Sequence, residues 1–301
     1  MGTVQTIETV VDLFRDRMSD DPAKTAFIFE GQSTSYGDLD TQSNQTAHAL
    51  IDLGLQPDER VGYLGKNSHN YYELMLGITK AGGVICPINW RLAPPEIAYI
   101  INDAKIRTLF IGVEFVELID RLKELSAELA NVVIMEDAPV EQPIYERWRD
   151  KYPNAAPDIQ REEEDAFAQL YTSGTTGNPK GAILSNRALL ENSRRYEDGE
   201  SPDWNLWTAD DVSLIAMPCF HIGGTGWGLA TLSNGATGVI MREFDATQIL
   251  NFIDKFKISK LFLVPAAMQF VVNLPNAREV DYSRLQYMLC LLYTSPSPRD
   301  S

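Results

Sequence analysis

Residues 171–181 read Tyr-Thr-Ser-Gly-Thr-Thr-Gly-Asn-Pro-Lys-Gly. The hydroxyls of Thr172, Ser173, Thr175 and Thr176, the glycines Gly174, Gly177 and Gly181, and the ammonium of Lys180 fall within this one stretch. That composition suits a grip on polyphosphate. Glycine lets backbone N–H groups approach oxygens closely, hydroxyls donate hydrogen bonds, and an ammonium offsets negative charge. The stretch is not a Walker A loop: counted from Gly174, the position that needs a second glycine is Pro179, and Lys180 is followed by Gly181 rather than Ser or Thr. It also lacks the G-x-G-x-x-G spacing of a dinucleotide fingerprint. A surface linker could share the composition, but not the Asn-Pro-Lys-Gly turn set directly after two glycine-ended hydroxyl clusters.

The flanks predict strand, loop, strand. Phe167–Tyr171 and Ala182–Leu184 are short apolar runs, and Ser185 is placed to cap a following helix. Upstream, Ile7, Val10, Val11, Phe14 and Met18 recur at helical spacing, residues 25–35 read as a hairpin, and Tyr36–Leu53 as a helix ended by Gly54. Strands are expected at Arg60–Leu64, Gly83–Pro87, Thr108–Gly112 and Asn131–Met135. Helices are expected at His69–Ala81, Pro95–Asn102 and Phe115–Leu129. Such alternation predicts an α/β fold with mainly parallel sheets covered by helices. Glu141–Glu164, charged and proline-bearing, reads as a connector between two α/β lobes, at about 1–160 and 166–289. In the second lobe, strands are expected near Val212–Ala216, Gly238–Met241 and Lys260–Val264, with a helix near Asp245–Phe256 opened by an Asp245/Gln248 capping box.

The 301 residues carry a formal charge of −16, which argues against nucleic acid or an anionic membrane as partner. An anionic nucleotide would then need a locally positive site, for which Lys180 is the first candidate. Three cysteines and three histidines, scattered, give neither a disulfide framework nor metal-ligand spacing. With no apolar run near ~18 residues and an acidic N-terminal helix in place of a signal peptide, a cytoplasmic protein is expected.

The 171–181 string closely resembles the signature loop of the adenylate-forming (AMP-binding) superfamily, in its acyl-CoA synthetase branch. Ser35-Tyr36-Gly37-Asp38-Leu39, Pro87-Ile88-Asn89-Trp90-Arg91-Leu92 and Met217-Pro218-Cys219-Phe220-His221 resemble three further motifs of that family, in the family's order. The resemblance covers about residues 7–289 and implies the large N-terminal domain of such an enzyme. It implies that Thr172, Ser173, Gly174, Thr175, Thr176, Gly177 and Lys180 hold the β- and γ-phosphates of ATP, and that Thr172 is an outer partner of Mg²⁺. It implies that His221 orients the acyl carboxylate, and that Gly223, Gly224 and Trp227, with Val264–Val271, line the acid's pocket. The glycine-rich stretch 223–228 is expected to leave room for a long chain. The implied reaction joins a fatty or related carboxylic acid to a thiol, usually coenzyme A, through an acyl-adenylate. An aryl-acid CoA ligase and a non-catalytic nucleotide-binding fragment are the alternatives. A peptide-synthetase adenylation domain fits less well, because no Asp lies between His221 and Arg242.

The family pattern breaks at the end of the chain. Where members turn through Gly-Gly after a segment like Leu285–Leu289, this chain has Cys290-Leu-Leu-Tyr-Thr-Ser-Pro-Ser-Pro-Arg-Asp300. Back-translated, that string resembles a transposase-type sequencing adapter. Residues 290–301 are therefore expected to be foreign to the fold. The family's later motifs, including its C-terminal domain with a catalytic lysine, are not in the sequence, so these 301 residues are expected to be inactive alone.

Overall fold

The computed structural model describes residues 7–138, 141–172, 178–197 and 206–289. The first elements are α1 (Val10–Asp20), β1 (Thr25–Phe29), β2 (Gln32–Ser35), α2 (Tyr36–Asp52), β3 (Arg60–Leu64), α3 (His69–Lys80), β4 (Val84–Pro87) and α4 (Pro94–Asp103). There follow β5 (Thr108–Ile111), α5 (Ile119–Leu125), β6 (Asn131–Ile134), α6 (Tyr145–Arg149), β7 (Ala166–Thr172), β8 (Lys180–Ser185) and α7 (Asn186–Glu197). The rest comprises β9 (Val212–Ile215), α8 (Ile222–Ser233), β10 (Thr237–Ile240), α9 (Ala246–Phe256), β11 (Lys260–Phe262), α10 (Pro265–Val272) and β12 (Tyr287–Leu289). Among the described residues no helix is long and apolar enough to cross a membrane.

Local chemistry sets the helix starts. Reciprocal capping boxes pair Thr9 with Asp12 for α1 and Ser35 with Asp38 for α2, while Ser68 caps α3 through the Tyr71 N–H. Asp245 accepts from the N–H groups of Thr247 and Gln248 at the start of α9. Each satisfies backbone donors that a helix leaves unpaired at its first turn.

The strands form two six-stranded sheets, ordered β12-β11-β9-β10-β1-β2 and β6-β5-β3-β4-β7-β8. Each is parallel except for an antiparallel edge strand, β2 in one and β8 in the other. The sheets do not follow the expected lobe division. β1 and β2 join the sheet built from residues beyond 206, with Phe27 opposite Gly238, and β7 and β8 extend the sheet of β3–β6. Apolar periodicity identifies a strand without identifying its neighbour, so the swap is invisible one segment at a time.

Between the sheets lies α3, in which every residue from Asn70 to Lys80 is buried. Its Tyr71, Tyr72, Leu74 and Met75 share a core with Phe27 and Ile240 of one sheet and with Tyr63, Ile85 and Phe167 of the other. The expected connector, too, is partly core. Tyr145 and Arg149 of α6 are buried, and Arg149 is paired with the buried Glu73 of α3. The helix expected over Phe115–Leu129 is confined to α5 and is preceded by a 3-10 turn at Val113–Leu118. α6, α8, α10 and β12 are elements that the sequence patterns do not predict.

Candidate active site

In a parallel α/β sheet, ligands bind beyond the carboxyl ends of the strands. Here the described segments leaving those ends include Lys66 and Asn67 after β3, Asn89–Leu92 after β4, Met217–His221 after β9, and Arg242 after β10, and β7 itself ends at Thr172. A hydrogen bond from the Asn67 N–H to the Arg242 carbonyl (3.1 Å) brings the two carboxyl edges together.

β7 and β8 pair as far as Thr172 opposite Lys180. Directly opposed residues of an antiparallel pair point to the same face. Both side chains are exposed, and Thr172 Oγ1 donates to the Lys180 carbonyl at 3.5 Å. Ser173, Gly174, Thr175, Thr176 and Gly177 lie outside the described residues. Gly181 is required by packing: a Cβ there would stand 2.4 Å from Gln169 Nε2 and 3.0 Å from the Tyr171 ring. Gln169 in turn accepts from Arg60 Nε at 2.9 Å, so the last glycine of the motif seats β8 against a fixed polar pair.

His221 stands at the start of α8 with extended backbone, and its side chain makes no capping bond. Its ring lies 4.7 Å from that of Phe220. Phe220 meets Trp90 edge-on at 6.4 Å, and the Arg91 guanidinium lies 4.8 Å from the Trp90 centroid and 5.8 Å from that of Phe220. The Lys66 ammonium sits 5.4 Å from the same indole and pairs with Glu243 at 2.6 Å. Two motifs more than a hundred residues apart therefore share one aromatic and cationic cluster. Partial burial, and then the Arg91 charge, hold the His221 pKa below its ordinary value, so the imidazole is neutral at pH 7. A neutral imidazole can donate one N–H hydrogen bond to an anion, and the Arg91 guanidinium adds positive charge to the cluster, while that of Lys66 is offset by Glu243. Among the described residues no hydrogen bond, ion pair or ring contact links His221 to Thr172 or Lys180.

Gly223 and Gly224 open α8, and Trp227 lies one turn on. A Cβ on Gly224 would stand 2.3 Å from the Pro218 carbonyl oxygen, one on Gly228 2.1 Å from the Tyr72 ring, and one on Gly223 2.8 Å from Phe262. A side chain at any of these three positions would thus run into protein atoms, so the three glycines serve close packing. Trp227 donates from Nε1 to the Leu214 carbonyl at 3.1 Å, with its ring 5.0 Å from Trp207 and 5.7 Å from Phe262. Sequence reasoning missed Asn67, Lys66 and Tyr72. The carboxyl-end rule, applied to the loop after β3, would have singled out the first two.

No group of three or more His, Cys, Asp or Glu able to hold a metal exists among the described residues. The one oxygen of the expected set that is described, Thr172 Oγ1, is neutral. That suits Mg²⁺, which keeps several waters and is held largely by substrate phosphates rather than by an all-protein cage. A cleft of about 340 Å³ lies elsewhere, lined by His69, Glu136 and Arg242 among others and by none of the sequence-predicted site residues. Its Arg242 is already paired with Glu30, Glu114 and Glu136.

Both the sequence and the fold match known proteins. The sequence matches the AMP-binding enzyme family over residues 14–299, a span that reaches into the tail expected to be foreign. It is 34% identical over 281 residues to a fatty acid–[acyl-carrier-protein] ligase, ScoC, of Streptomyces coeruleorubidus, covering 93% of this chain and 52% of that protein. It is likewise 34% identical over 269 residues to an indoleacetate–CoA ligase of Aromatoleum aromaticum, covering 88% and 51%. The fold superposes on the anthranilate CoA ligase AuaEII, crystallised with anthranoyl-AMP, with a TM-score of 0.86 at 24% identity, over 95% of this chain and 55% of that one. The chain thus spans about half the length of the curated relatives it matches. Its sequence match and its two interlocked sheets make it a member of the AMP-binding enzyme family.

Proposed function

We propose that this chain forms the ATP- and acid-binding half of an ATP-dependent acid–thiol ligase acting on a fatty or related carboxylic acid. The observation that carries the reading is the meeting of Trp90-Arg91 with Phe220-His221 at the carboxyl edges of two sheets, in a chain of this family. Names borne by relatives, a fatty acid–carrier-protein ligase and an indoleacetate–CoA ligase, support the same chemistry.

In the reaction, a carboxylate oxygen of the acid attacks the α-phosphorus of ATP. The bond to the bridging oxygen breaks, and pyrophosphate leaves with the electron pair. A thiol then attacks the acyl carbon, loses its proton and displaces AMP, giving a thioester. The first step is mostly positioning and stabilisation of spreading negative charge. Lys180 and the hydroxyls of Thr172, Ser173, Thr175 and Thr176 hold the leaving pyrophosphate, with Gly174 and Gly177 giving backbone access. Thr172 would be an outer partner of Mg²⁺, which would offset charge on the phosphates when bound with the nucleotide. His221 donates an N–H to one carboxylate oxygen and leaves the other free to attack. It need not act as base, because the acid is ionised at neutral pH.

An aryl acid is the second reading. It is favoured by the filled space beside Gly224 and Gly228 and by the aromatic surroundings of Trp227. Thioester formation from a panel of alkyl and aryl acids with ATP and coenzyme A separates the two. The assay uses a protein of the relatives' full length that carries this chain as its N-terminal half. Turnover of medium or long alkyl acids supports the first reading, and turnover confined to aryl acids supports the second. The 301 residues alone are expected to give no acid-dependent pyrophosphate–ATP exchange.

A further inference from the structure

Building on the ligase reading above, we infer that Asn67 is a positioning residue that fixes the His221 turn of one sheet against the edge of the other. By chain, His221 belongs to the sheet of β9, whereas Trp90, Arg91 and the β7–β8 hairpin belong to the sheet of β3. The cluster exists only if the two carboxyl edges keep a fixed separation.

Asn67 lies between β3 and α3 and is 3% exposed. Its Nδ2 donates to the carbonyls of Met217 and Met241, both at 3.0 Å, and its Oδ1 accepts from the Cys219 N–H at 2.8 Å. Its own N–H donates to the Arg242 carbonyl at 3.1 Å. One residue of the β3 sheet therefore engages four backbone groups of the other sheet, beyond the ends of β9 and β10. A carboxamide suits the task because it offers two donors and an acceptor on one short rigid stem. Asp lacks the donors, and Ser is too short to reach both carbonyls. Asn67 binds just before His221, at 217 and 219. Just after it, Tyr72 Oη donates to the Gly224 carbonyl at 3.0 Å, and Tyr71 Oη lies 2.6 Å from Thr225 Oγ1. Thr225 Oγ1 donates back to the Cys219 carbonyl, also at 2.6 Å. The His221 ring is thus the exposed tip of a turn gripped on both flanks by residues 67–72.

The first test uses the whole 301-residue protein and needs no activity. With only three histidines, His221 is resolved by NMR, and hydrogen exchange reads the Cys219 amide. In Asn67→Ala, Cys219 exchange is expected to speed up about tenfold or more, because its buried N–H loses its acceptor. The His221 titration is expected to move up as the ring gains water and leaves Arg91. If Asn67→Ala does not fold, the neutral Asn67→Ser, too short to reach both carbonyls, gives the same His221 reading. An unchanged His221 titration and Cys219 exchange in a folded variant overturn the inference. So does a uniform acceleration of all slow amides, β5 and β6 included, which marks a merely structural residue. The second test places the substitution in a full-length ligase, where KM for the acid is expected to rise and KM for ATP to hold. If the turn is released and the acid's KM does not move, the assignment of His221 to the acid fails, while its positioning by Asn67 stands.

Discussion

His221 and His69 show how differently one residue type is used. The first is the exposed tip of a gripped turn. The second sits against Phe29 at 5.4 Å, with its Nδ1 buried and unpartnered among the described residues. Burial holds the His69 pKa below 6.5, with Arg149 and Arg242 lowering it further and Glu146 and Glu30 opposing them. The unfolded imidazole takes up a proton as pH falls below about 6.5, while the folded one resists until its lower pKa is reached. Between those two values the unfolded state binds more protons, so stability rises with pH and is lost on acidification. Urea unfolding at pH 7.5 and 5.5 is expected to show a larger loss in the unsubstituted protein than in His69→Gln. Equal losses would contradict burial as the cause. The 171–181 string and the Pro-Cys-Phe-His string can be picked out in the sequence because each is local. Asn67 was not, because its meaning lies in four backbone partners at positions 217, 219, 241 and 242.

At the scale of elements, α8 shows a second use for glycines. Gly224 and Gly228 let the helix pack closely on the Pro218 backbone and on Tyr72. Gly228→Ala would drive a methyl into a fully buried ring held between Phe27 and Tyr71. A destabilisation of about 1–3 kcal/mol is expected from such overpacking, after the gain in helix propensity. Gly226→Ala is the contrast: its Cβ would meet only Ile222 of its own helix, at 3.2 Å, so it is expected to be neutral or stabilising. Thermal unfolding compares the two, and equal effects would show that close packing is not what Gly228 serves. Most helix starts were readable, because Ser35 with Asp38 and Asp245 with Gln248 carry their caps within four residues. α8 was not, because a run with glycine at 223, 224, 226 and 228 has poor helix propensity and is held helical by tertiary packing.

At the scale of the whole molecule, two sheets exchange segments and close around α3. The connector is tied into that closure: Glu73 of α3 accepts from Arg149 and from Tyr145 Oη (2.7 Å), and Thr46 Oγ1 lies 2.7 Å from the same tyrosine hydroxyl. Arg149→Ala strands the Glu73 carboxyl in the core, and a loss of about 3–5 kcal/mol is expected, measured by urea unfolding. A loss below 1 kcal/mol would mean that residues 141–164 only link the sheets. The fold class was legible from alternating strands and helices. The exchange of β1–β2 and β7–β8 between sheets was not, since no residue in those strands names its partner. The whole molecule is also where the function must be tested. The decisive measurement is carboxylate-dependent pyrophosphate–ATP exchange by a full-length protein carrying this chain, with and without Lys180→Ala. The expected result is exchange that needs both acid and ATP and that falls about 10- to 150-fold in the variant, the kinetic equivalent of ~1.5–3 kcal/mol for one charge-assisted contact. Exchange of equal rate in both proteins, or none with any acid, would contradict the assignment of residues 171–181 to the phosphates of ATP.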